Sequence, residues 1–315
     1  MILFKSCILI LLISFKSYGF VLTAHKTAGL EFPENTLKGF EHSLQLPIDA
    51  IELDIHLTKD KYFVLSHDPV LDRYNCFDKN SKKRIIIAKT MLKEILSLEC
   101  FNSKVKKNYK IPSLNKILDI YISSGRFDIT LNIEIKVLDK LIEKWPRYKG
   151  VKHSQLHFSH KILADKIYTK LRQKKIQQNI LLSTFSRELL LLLKNKKEPN
   201  ELFQFGLLFK GVYSPSRLWL MAKLKKLNCF DSCWWPNWKD TKDWIKKNKI
   251  DVFMPNWKQL DNSLFRRGFK KYFQVKNLKF KIYPWTLNTE LEWNRMNQYK
   301  FDGVITDFPS IYLNR

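Results

Sequence analysis

Residues 51–57 read Ile51-Glu52-Leu53-Asp54-Ile55-His56-Leu57 and alternate strictly between aliphatic and polar side chains. A period of two predicts a β-strand with an apolar face and an opposite face carrying two acids and a histidine. Residues 131–137, Leu131-Asn132-Ile133-Glu134-Ile135-Lys136-Val137, repeat the arrangement. Burying like charges is costly without a cation, so both strands are expected to turn their polar faces towards a shared, cation-holding interior.

Short β-rich runs alternate with amphipathic helical runs along the rest of the chain. Strands are predicted at 50–57 and 129–137, which contain the two runs quoted above. Further strands are predicted at 21–25, 62–67, 179–185, 202–209, 250–254, 280–286 and 303–306. Helices are predicted at 35–46, 113–123, 160–174, 187–193, 241–247, 263–272 and 289–298. This alternation is typical of an α/β fold with a parallel sheet. About eight such strands favour a closed TIM (β/α)8 barrel over an open doubly wound sheet, because no glycine-rich phosphate loop follows the first strand.

Two stretches depart from this simple pattern. Residues 51–68 leave no room for a helix, so the turn 58–61 predicts a hairpin that places His67 across from Asp54. Residues 71–111 are long, polar and basic. This composition predicts an inserted loop or small subdomain after the second or third strand. The insertion could be an active-site lid or a subdomain with its own structure.

The first residues have the composition of a targeting segment. Lys5 precedes an apolar run, and a small residue, Gly19, ends the segment. Residues 1–19 are therefore predicted to be a signal peptide, with an uncleaved anchor as the alternative, and 20–315 a single exported barrel domain, periplasmic or secreted. Export permits disulfides, and two local pairs are expected among Cys76, Cys100, Cys229 and Cys233, with reduced core thiols as the alternative.

The chain is strongly basic, with a formal net charge of +26. Such a charge attracts phosphorylated substrates, anionic membrane surfaces or nucleic acid. The lysines are spread along the chain and no nucleic-acid-binding signature is present. A solvated basic surface is therefore favoured over a specific nucleic-acid site.

Three carboxylates are predicted to meet at the mouth of the barrel: Glu52, Asp54 and Glu134. Oxygen ligands without thiolates suit a hard divalent cation such as Ca²⁺ or Mg²⁺. Lys136, on the same face as Glu134, could neutralise the site or hold a phosphate oxygen. The alternative is a purely structural ion pair inside the barrel.

Two histidines follow predicted strands, where a barrel exposes its reactive groups. His25 follows residues 21–24 and His67 follows residues 63–66. A pair flanking a metal site is suited to general acid and base catalysis, since histidine titrates near neutrality.

These motifs, in this order and spacing, resemble the glycerophosphodiester phosphodiesterase family. The resemblance runs from about residue 21 to 310 and is weak between about 140 and 250. It rests on these segments: Ala24-His25-Lys26, Phe32-Pro33-Glu34-Asn35-Thr36-Leu37, Ile51-Glu52-Leu53-Asp54, His67-Asp68-Pro69, Leu71-Asp72-Arg73, Ile111-Pro112-Ser113-Leu114, Asn132-Ile133-Glu134-Ile135-Lys136, Ser183-Thr184-Phe185, Trp285-Thr286-Leu287-Asn288 and Gly303-Val304-Ile305-Thr306-Asp307.

The resemblance implies a role for each candidate residue: His25 and His67 as general acid and base, Glu52, Asp54 and Glu134 as metal ligands, Lys26 and Lys136 as phosphate-binding cations, Trp285 as an aromatic wall, Glu34 as a supporting group and Asn35 as a helix cap. His56 has no implied role. The family usually has arginine and then a glycine-rich turn after the first histidine. Lys26 and Thr27 stand there in this chain, and lysine lacks the bidentate grip of arginine on phosphate.

The implied reaction is metal-dependent hydrolysis of a glycerophosphodiester to glycerol 3-phosphate and an alcohol. One alternative is a phospholipase D-like activity on lysophospholipids or sphingolipids. For this activity a group of tryptophans would form a membrane-facing rim, or else would simply pack against the barrel: Trp234, Trp235 and Trp238, with Trp219, Trp244 and Trp257 not far away in sequence. Another alternative is a non-catalytic barrel that binds phosphorylated ligands.

Overall fold

The computed structural model describes residues 19–71, 76, 84–138, 150–209, 238–261, 269–271, 273 and 278–313. Within them, eight parallel strands form a nearly closed barrel, as predicted. They are β1 (Val21–Ala24), β2 (Ala50–Leu57), β6 (Thr130–Ile135), β7 (Ile180–Thr184), β8 (Gln204–Phe209), β9 (Val252–Pro255), β10 (Lys281–Ile282) and β11 (Gly303–Thr306). Three further strands, β3 (Phe63–Leu65), β4 (Cys100–Asn102) and β5 (Lys107–Tyr109), are antiparallel additions.

The barrel is completed between its last two strands. Neighbouring strands follow the order β10-β9-β8-β7-β6-β2-β1-β11. Trp285, just beyond β10, forms parallel bridges to Asn256 on one side and Ile305 on the other. Ile305 N also donates to Pro284 O at 3.0 Å. These bonds link β10 to β11, the two ends of the strand order, so that little open edge remains between them.

Helices cover the outside of the barrel. They are α1 (Leu37–Gln45), α2 (Leu92–Ser97), α3 (Leu114–Ser124), α4 (His160–Gln173), α5 (Arg187–Lys196), α6 (Trp238–Lys247), α7 (Trp257–Asp261), α8 (Glu290–Asn297) and α9 (Pro309–Tyr312). Five of them begin after a Ser or Thr whose side chain accepts a backbone N–H: Thr36, Ser113, Ser159, Ser186 and Thr289. Such caps satisfy N–H groups that the first turn leaves unpaired.

The aliphatic residues of β2 and β6 pack against these helices in the main core, as the alternation predicts. Ile51, Leu53 and Ile55 of β2 are fully buried there, together with Ile133 and Ile135 of β6. Since the polar residues of both strands are also buried, they must face the barrel interior. None of the described helices is long and apolar enough to cross a membrane.

The predicted hairpin between β2 and β3 is present, but its register differs by one residue. Ile55 pairs with Leu65, and Ser66 N donates to Asp54 O at 3.1 Å. Ser66 rather than His67 therefore lies across from Asp54. The connection between β2 and β3 is one residue shorter than the predicted pairing requires, because Tyr62 N donates to the Thr58 hydroxyl at 3.0 Å and closes the turn.

The stretch predicted as a lid or a subdomain packs with Val64 of β3 into a small core that is separate from the main one. Its buried side chains are Val64, Leu71, Ile87, Ile95, Leu98, Cys100 and Ile111. A disulfide joins Cys76 to Cys100, as expected. Cys229 and Cys233 lie outside the described residues. We call residues 84–111 and Cys76 the inserted subdomain.

The tryptophans predicted either to face a membrane or to pack against the barrel do the latter where they are described. Trp238 is 3% exposed and Trp257 7% exposed. Trp238 lies 5.4 Å from Phe209 and 5.5 Å from Phe269, ring centre to ring centre. Trp219, Trp234 and Trp235 lie outside the described residues.

Candidate active site

The carboxyl-terminal ends of the barrel strands surround a cavity of about 240 Å³. Glu52 of β2 and Glu134 of β6 line it. Asp54 does not line the cavity itself but lies next to these two, because Asp54 and Glu134 are paired residues on neighbouring strands. The predicted site residues that line it are His25, Lys26, Glu34, Glu52, His67, Glu134, Lys136 and Trp285. The strand alternation thus brings together groups that are far apart in sequence.

The three predicted carboxylates are close enough to share one cation. One oxygen from each of Glu52, Asp54 and Glu134 lies within 4.8 Å of the others. All three side chains are buried, and Glu52 Oε1 has no hydrogen-bond partner among the described residues. A buried carboxylate oxygen without a donor is costly, so the cluster fits a divalent cation.

Electrostatics in the cluster point the same way. Burial and the neighbouring Asp54 raise the pKa of Glu52 to about 8, and burial raises the pKa of Glu134 to about 7. Although burial also favours its neutral form, Lys136 and His67 lower the pKa of Asp54 well below its usual value. Without a cation, the cluster therefore holds protons at neutral pH that a metal ion would displace.

Lys136 lies inside this cluster. Its Nζ is 2.7 Å from Glu134 Oε1 and 3.2 Å from Asp54 Oδ1. Burial opposes its charge, but Asp54 and Glu134 raise the pKa of Lys136 above its usual range. Lys136 therefore carries a positive charge in the cavity. Such a charge is what the first of its two predicted uses, neutralising the carboxylates, requires.

His25 is held by the last barrel strand. Its Nδ1 lies 2.6 Å from Asp307 Oδ1, and Asn288 Nδ2 donates to Asp307 Oδ2 at 2.7 Å. Burial disfavours the imidazolium, but Asp307 outweighs it and raises the pKa of His25. Because Asp307 engages Nδ1, His25 turns Nε2 towards the cluster, 3.8 Å from Glu52 Oε2.

His67 is positioned by its neighbour in sequence. Its Nδ1 lies 2.8 Å from Asp68 Oδ1, and Ser66 Oγ donates to Asp68 O at 2.8 Å. His56 Nε2 donates to His67 O at 3.2 Å. Burial lowers the pKa of His56 to about 4, so His56 is neutral and acts as a support for the His67 backbone.

The loop after His25 adopts an unusual backbone. Lys26, Thr27 and Ala28 all have positive φ, between 48° and 68°, a region that favours glycine. Thr27 is held by its own hydroxyl, which accepts from Thr36 N at 3.2 Å. Lys26 donates its backbone N–H to Glu52 Oε2 at 2.7 Å and its Nζ to Glu34 Oε2 at 3.3 Å. The loop thus adopts the left-handed turn without the usual glycine.

Asn35 does not cap the following helix, which corrects the prediction. Thr36 is the cap and accepts from Gly39 N. Asn35 instead donates from Nδ2 to Asp54 Oδ2 at 2.8 Å and accepts from Asp54 N at 3.0 Å. This pair of bonds orients the Asp54 carboxylate within the cluster.

Apolar side chains form one wall of the cavity. Trp285 packs against Phe185 at 5.8 Å between ring centres, and Trp285 Nε1 donates to Met254 O at 2.8 Å. Leu208 and Ile305 line the same cavity. Trp285, predicted as an aromatic wall of the substrate pocket, thus lies in an apolar wall that also includes Phe185, Leu208 and Ile305.

The sequence predicted no contact with the site for four residues that shape it: Asn35, which was expected only to cap a helix, and Asp68, Asn288 and Asp307. All four stand in segments that carry the resemblance to a family, namely 32–37, 67–69, 285–288 and 303–307. The resemblance therefore marked these segments as important, but it did not predict which residue each side chain contacts.

Residues 25–311 match the sequence profile of the Glycerophosphoryl diester phosphodiesterase family. A glycerophosphodiester phosphodiesterase of Caldanaerobacter subterraneus is 24% identical over 298 residues, which cover 93% of this chain and 96% of that protein. A lysophospholipase D of Mus musculus is 24% identical over 91% of this chain and 83% of its own length.

Solved structures share the fold. A putative glycerophosphoryl diester phosphodiesterase from Silicibacter pomeroyi superposes with a TM-score of 0.67 at 18% identity, covering 93% of this chain and 91% of that one. An Oleispira antarctica phosphodiesterase in complex with the product sn-glycerol-3-phosphate gives a TM-score of 0.63 at 18% identity, covering 93% and 95%. The barrel is therefore a known architecture.

Proposed function

This chain belongs to the Glycerophosphoryl diester phosphodiesterase family, and on that premise we propose that it hydrolyses glycerophosphodiesters to glycerol 3-phosphate and an alcohol. One observation carries the proposal: two histidines, each bound through Nδ1 to an aspartate, line the same cavity as Glu52 and Glu134, which form a buried carboxylate cluster with Asp54. The curated and solved relatives include named phosphodiesterases of such substrates.

We further propose a divalent cation, Ca²⁺ or Mg²⁺, held by Glu52, Asp54 and Glu134. Three oxygen ligands, without thiolate, favour these hard ions. When bound, such an ion polarises a phosphoryl oxygen and lowers the pKa of an attacking hydroxyl or water. Asn35 keeps Asp54 oriented for this task through its two hydrogen bonds.

His25 and His67 would transfer the protons. In each ring the aspartate engages Nδ1, so the exchange with substrate would use Nε2. One histidine would accept the proton of the attacking group and the other would protonate the departing alkoxide. Asp307 stabilises the charged form of His25 as that proton arrives.

Lys26 and Lys136 would bind the phosphate of the substrate. Both line the cavity, and each is already paired with a carboxylate there: Lys26 with Glu34, and Lys136 with Glu134 and Asp54. The pairs keep the ammonium groups in place, while a lysine offers single rather than bidentate hydrogen bonds to phosphate.

The test is release of glycerol 3-phosphate from glycerophosphocholine and glycerophosphoethanolamine by the chain from residue 20 onward. Assays with Ca²⁺, with Mg²⁺ and with EDTA are run beside His67→Asn. Metal-dependent release that the variant loses supports the proposal. Folded protein that releases nothing with either ion would overturn it and favour a barrel that only binds phosphorylated ligands.

A second candidate is lysophospholipase D activity. A relative of that name covers most of this chain, and the apolar wall of Phe185, Leu208, Trp285 and Ile305 offers contacts for a hydrocarbon chain. Hydrolysis of lysophosphatidylcholine to choline at a rate comparable with that of glycerophosphocholine would favour it. Binding to anionic vesicles that salt abolishes would support membrane contact through the basic surface.

We also propose that the chain is exported after cleavage near Gly19. The Cys76–Cys100 disulfide supports this, since structural disulfides persist in oxidising compartments. Mass spectrometry of the protein recovered from its native cell would test it. A mature amino terminus near residue 20 is expected, whereas an intact Met1 would contradict export.

A further inference from the structure

The inserted subdomain reaches the cavity through the turn between its two strands, β4 and β5. The turn spans residues 103–106, and Lys104 within it lines the same cavity as His25, Glu52 and Lys136. The side chain comes from outside the barrel. It therefore faces the strand-end residues from the solvent side of the cavity.

Three contacts fix this turn in place. Asn102 Oδ1 accepts the backbone N–H groups of Lys104 at 2.9 Å and Val105 at 3.2 Å. Lys107 Nζ lies 5.3 Å from the centre of the Phe32 ring, which belongs to the loop after His25. The disulfide holds Cys100 at the start of β4. Lys104 is thus carried by a braced hairpin.

The three lysines of the cavity differ in their partners. Lys26 is paired with Glu34, and Lys136 with Glu134 and Asp54. In the described part of the chain, the ammonium group of Lys104 forms no ion pair. Lys104 is therefore the cavity lysine whose charge is not already offset by a protein carboxylate.

We propose that Lys104 forms an anion subsite at the mouth of the cavity, for a second negative charge on the alcohol part of the substrate. The substrate class is a glycerophosphodiester whose alcohol itself carries a phosphate or carboxylate group. On the proposed function, the reacting phosphate would bind at the strand ends beside the carboxylate cluster and Lys136, which leaves the outer lysine for the alcohol. This inference rests on the proposed function.

The experiment compares two diesters that differ in the charge of the alcohol. Bis(glycerophospho)glycerol has a leaving alcohol with a second phosphodiester, and glycerophosphoglycerol has a neutral one. The ratio of their kcat/KM values is measured for the parent, for Lys104→Met and for Lys104→Arg. Lys106→Met is the matched control, because Lys106 lies in the same exposed turn but does not line the cavity.

We expect Lys104→Met to lower the ratio about threefold to fivefold, the size of an exposed charge pair, and Lys104→Arg to keep it. The parent ratio should fall as salt is raised, since salt screens exposed charges. An unchanged ratio in Lys104→Met, an equal loss for both diesters, or the same change in Lys106→Met would overturn the anion subsite.

Binding separates failure of this inference from failure of the proposed function. Calorimetry with Ca²⁺ on the His67→Asn background measures the affinity for both diesters without turnover. Weaker binding of bis(glycerophospho)glycerol alone in the Lys104→Met form supports the subsite even if the parent hydrolyses neither compound. Equal affinities with and without Lys104 would overturn it, whatever the parent hydrolyses.

Discussion

The mouth of the barrel and the inserted subdomain contribute to the same cavity in different ways. At the barrel mouth, Glu52, Asp54 and Glu134 are buried and come from strands paired on both sides. The subdomain contributes five of the seven buried side chains of a small core that it shares with Val64 and Leu71, and its cavity residue, Lys104, is exposed. The strands fix groups that must meet within a few ångströms, whereas the subdomain supplies a contact that can vary without disturbing them.

The largest contrast is expected between carboxylates of the two regions. Glu52→Gln removes a charge from the cluster, so turnover should fall about a hundredfold or more, because a catalytic cation contributes several kcal/mol and about 1.4 kcal/mol is a factor of ten. Kinetics with Ca²⁺ or Mg²⁺ measure it. Glu94→Gln, on exposed α2, is the control and should be silent; equal activity of both variants would remove the cluster from catalysis.

The two histidines sharpen the comparison, since His25 depends on the barrel and His67 lies where β3 meets the subdomain. His25→Asn and His67→Asn should each reduce kcat by about a hundredfold to ten-thousandfold, the range of general acid or base catalysis. His42→Asn is the control, because His42 contacts Glu31 away from the cavity. A variant of His25 or His67 that kept most of its activity would exclude that ring from proton transfer.

Asp307→Asn tests the support of His25 from the barrel side. Asp307 raises the pKa of His25, so its loss should lower that pKa and move the corresponding limb of the pH–rate profile to lower pH, with about a tenfold lower kcat. Asp165→Asn, in a surface pair with Lys196, should leave the profile in place. A profile that does not move in Asp307→Asn would mean that His25 does not set that limb.

Removing the disulfide should loosen only the subdomain. Cys76→Ser opens a ring with a sequence separation of 24, which should cost about 3 kcal/mol locally. Hydrogen exchange should speed up in residues 92–102 and stay slow in β6, since the barrel core does not include the disulfide. Equal loss of protection in both regions would show that subdomain and barrel unfold as one unit.

The last expected effect is a pH dependence of stability, rather than of turnover, that belongs to the barrel mouth. The folded-state pKa values of Glu52, about 8, and Glu134, about 7, lie above their ordinary value. The folded metal-free protein therefore binds more protons than the unfolded chain, and its free energy of unfolding should fall as pH rises from about 4.5, the ordinary pKa, to about 8. The fall is limited to about 1.4 kcal/mol per pH unit for each proton.

Denaturant titrations at several pH values measure this dependence. Saturating Ca²⁺ should abolish the fall, because the ion takes the place of the protons in the cluster. Glu52→Gln should flatten the curve without any ion. A stability that rises over the same range in the metal-free parent would show that both carboxyls are already ionised.

Much of the fold follows from local patterns in the sequence. Strand 50–57 and strand 303–306 have the predicted bounds, and the alternation in 51–57 and 131–137 placed the acids on the interior face. Burial of the aliphatic face dictates this result, because a shift of one residue would expose every Ile and Leu of the strand. Segment 263–272 lies mostly outside the described residues.

Other features depended on the folded chain. The contact of His25 with Asp307 joins residues 282 apart, and Asn35 reaches Asp54 because the loop after β1 folds back over β2. The register of the β2–β3 hairpin and the position of Lys104 at the cavity likewise depend on the folded chain. Periodicity tells which face a side chain occupies, but its partner is chosen by strand order, barrel closure and loop conformation, which depend on interactions distant in sequence.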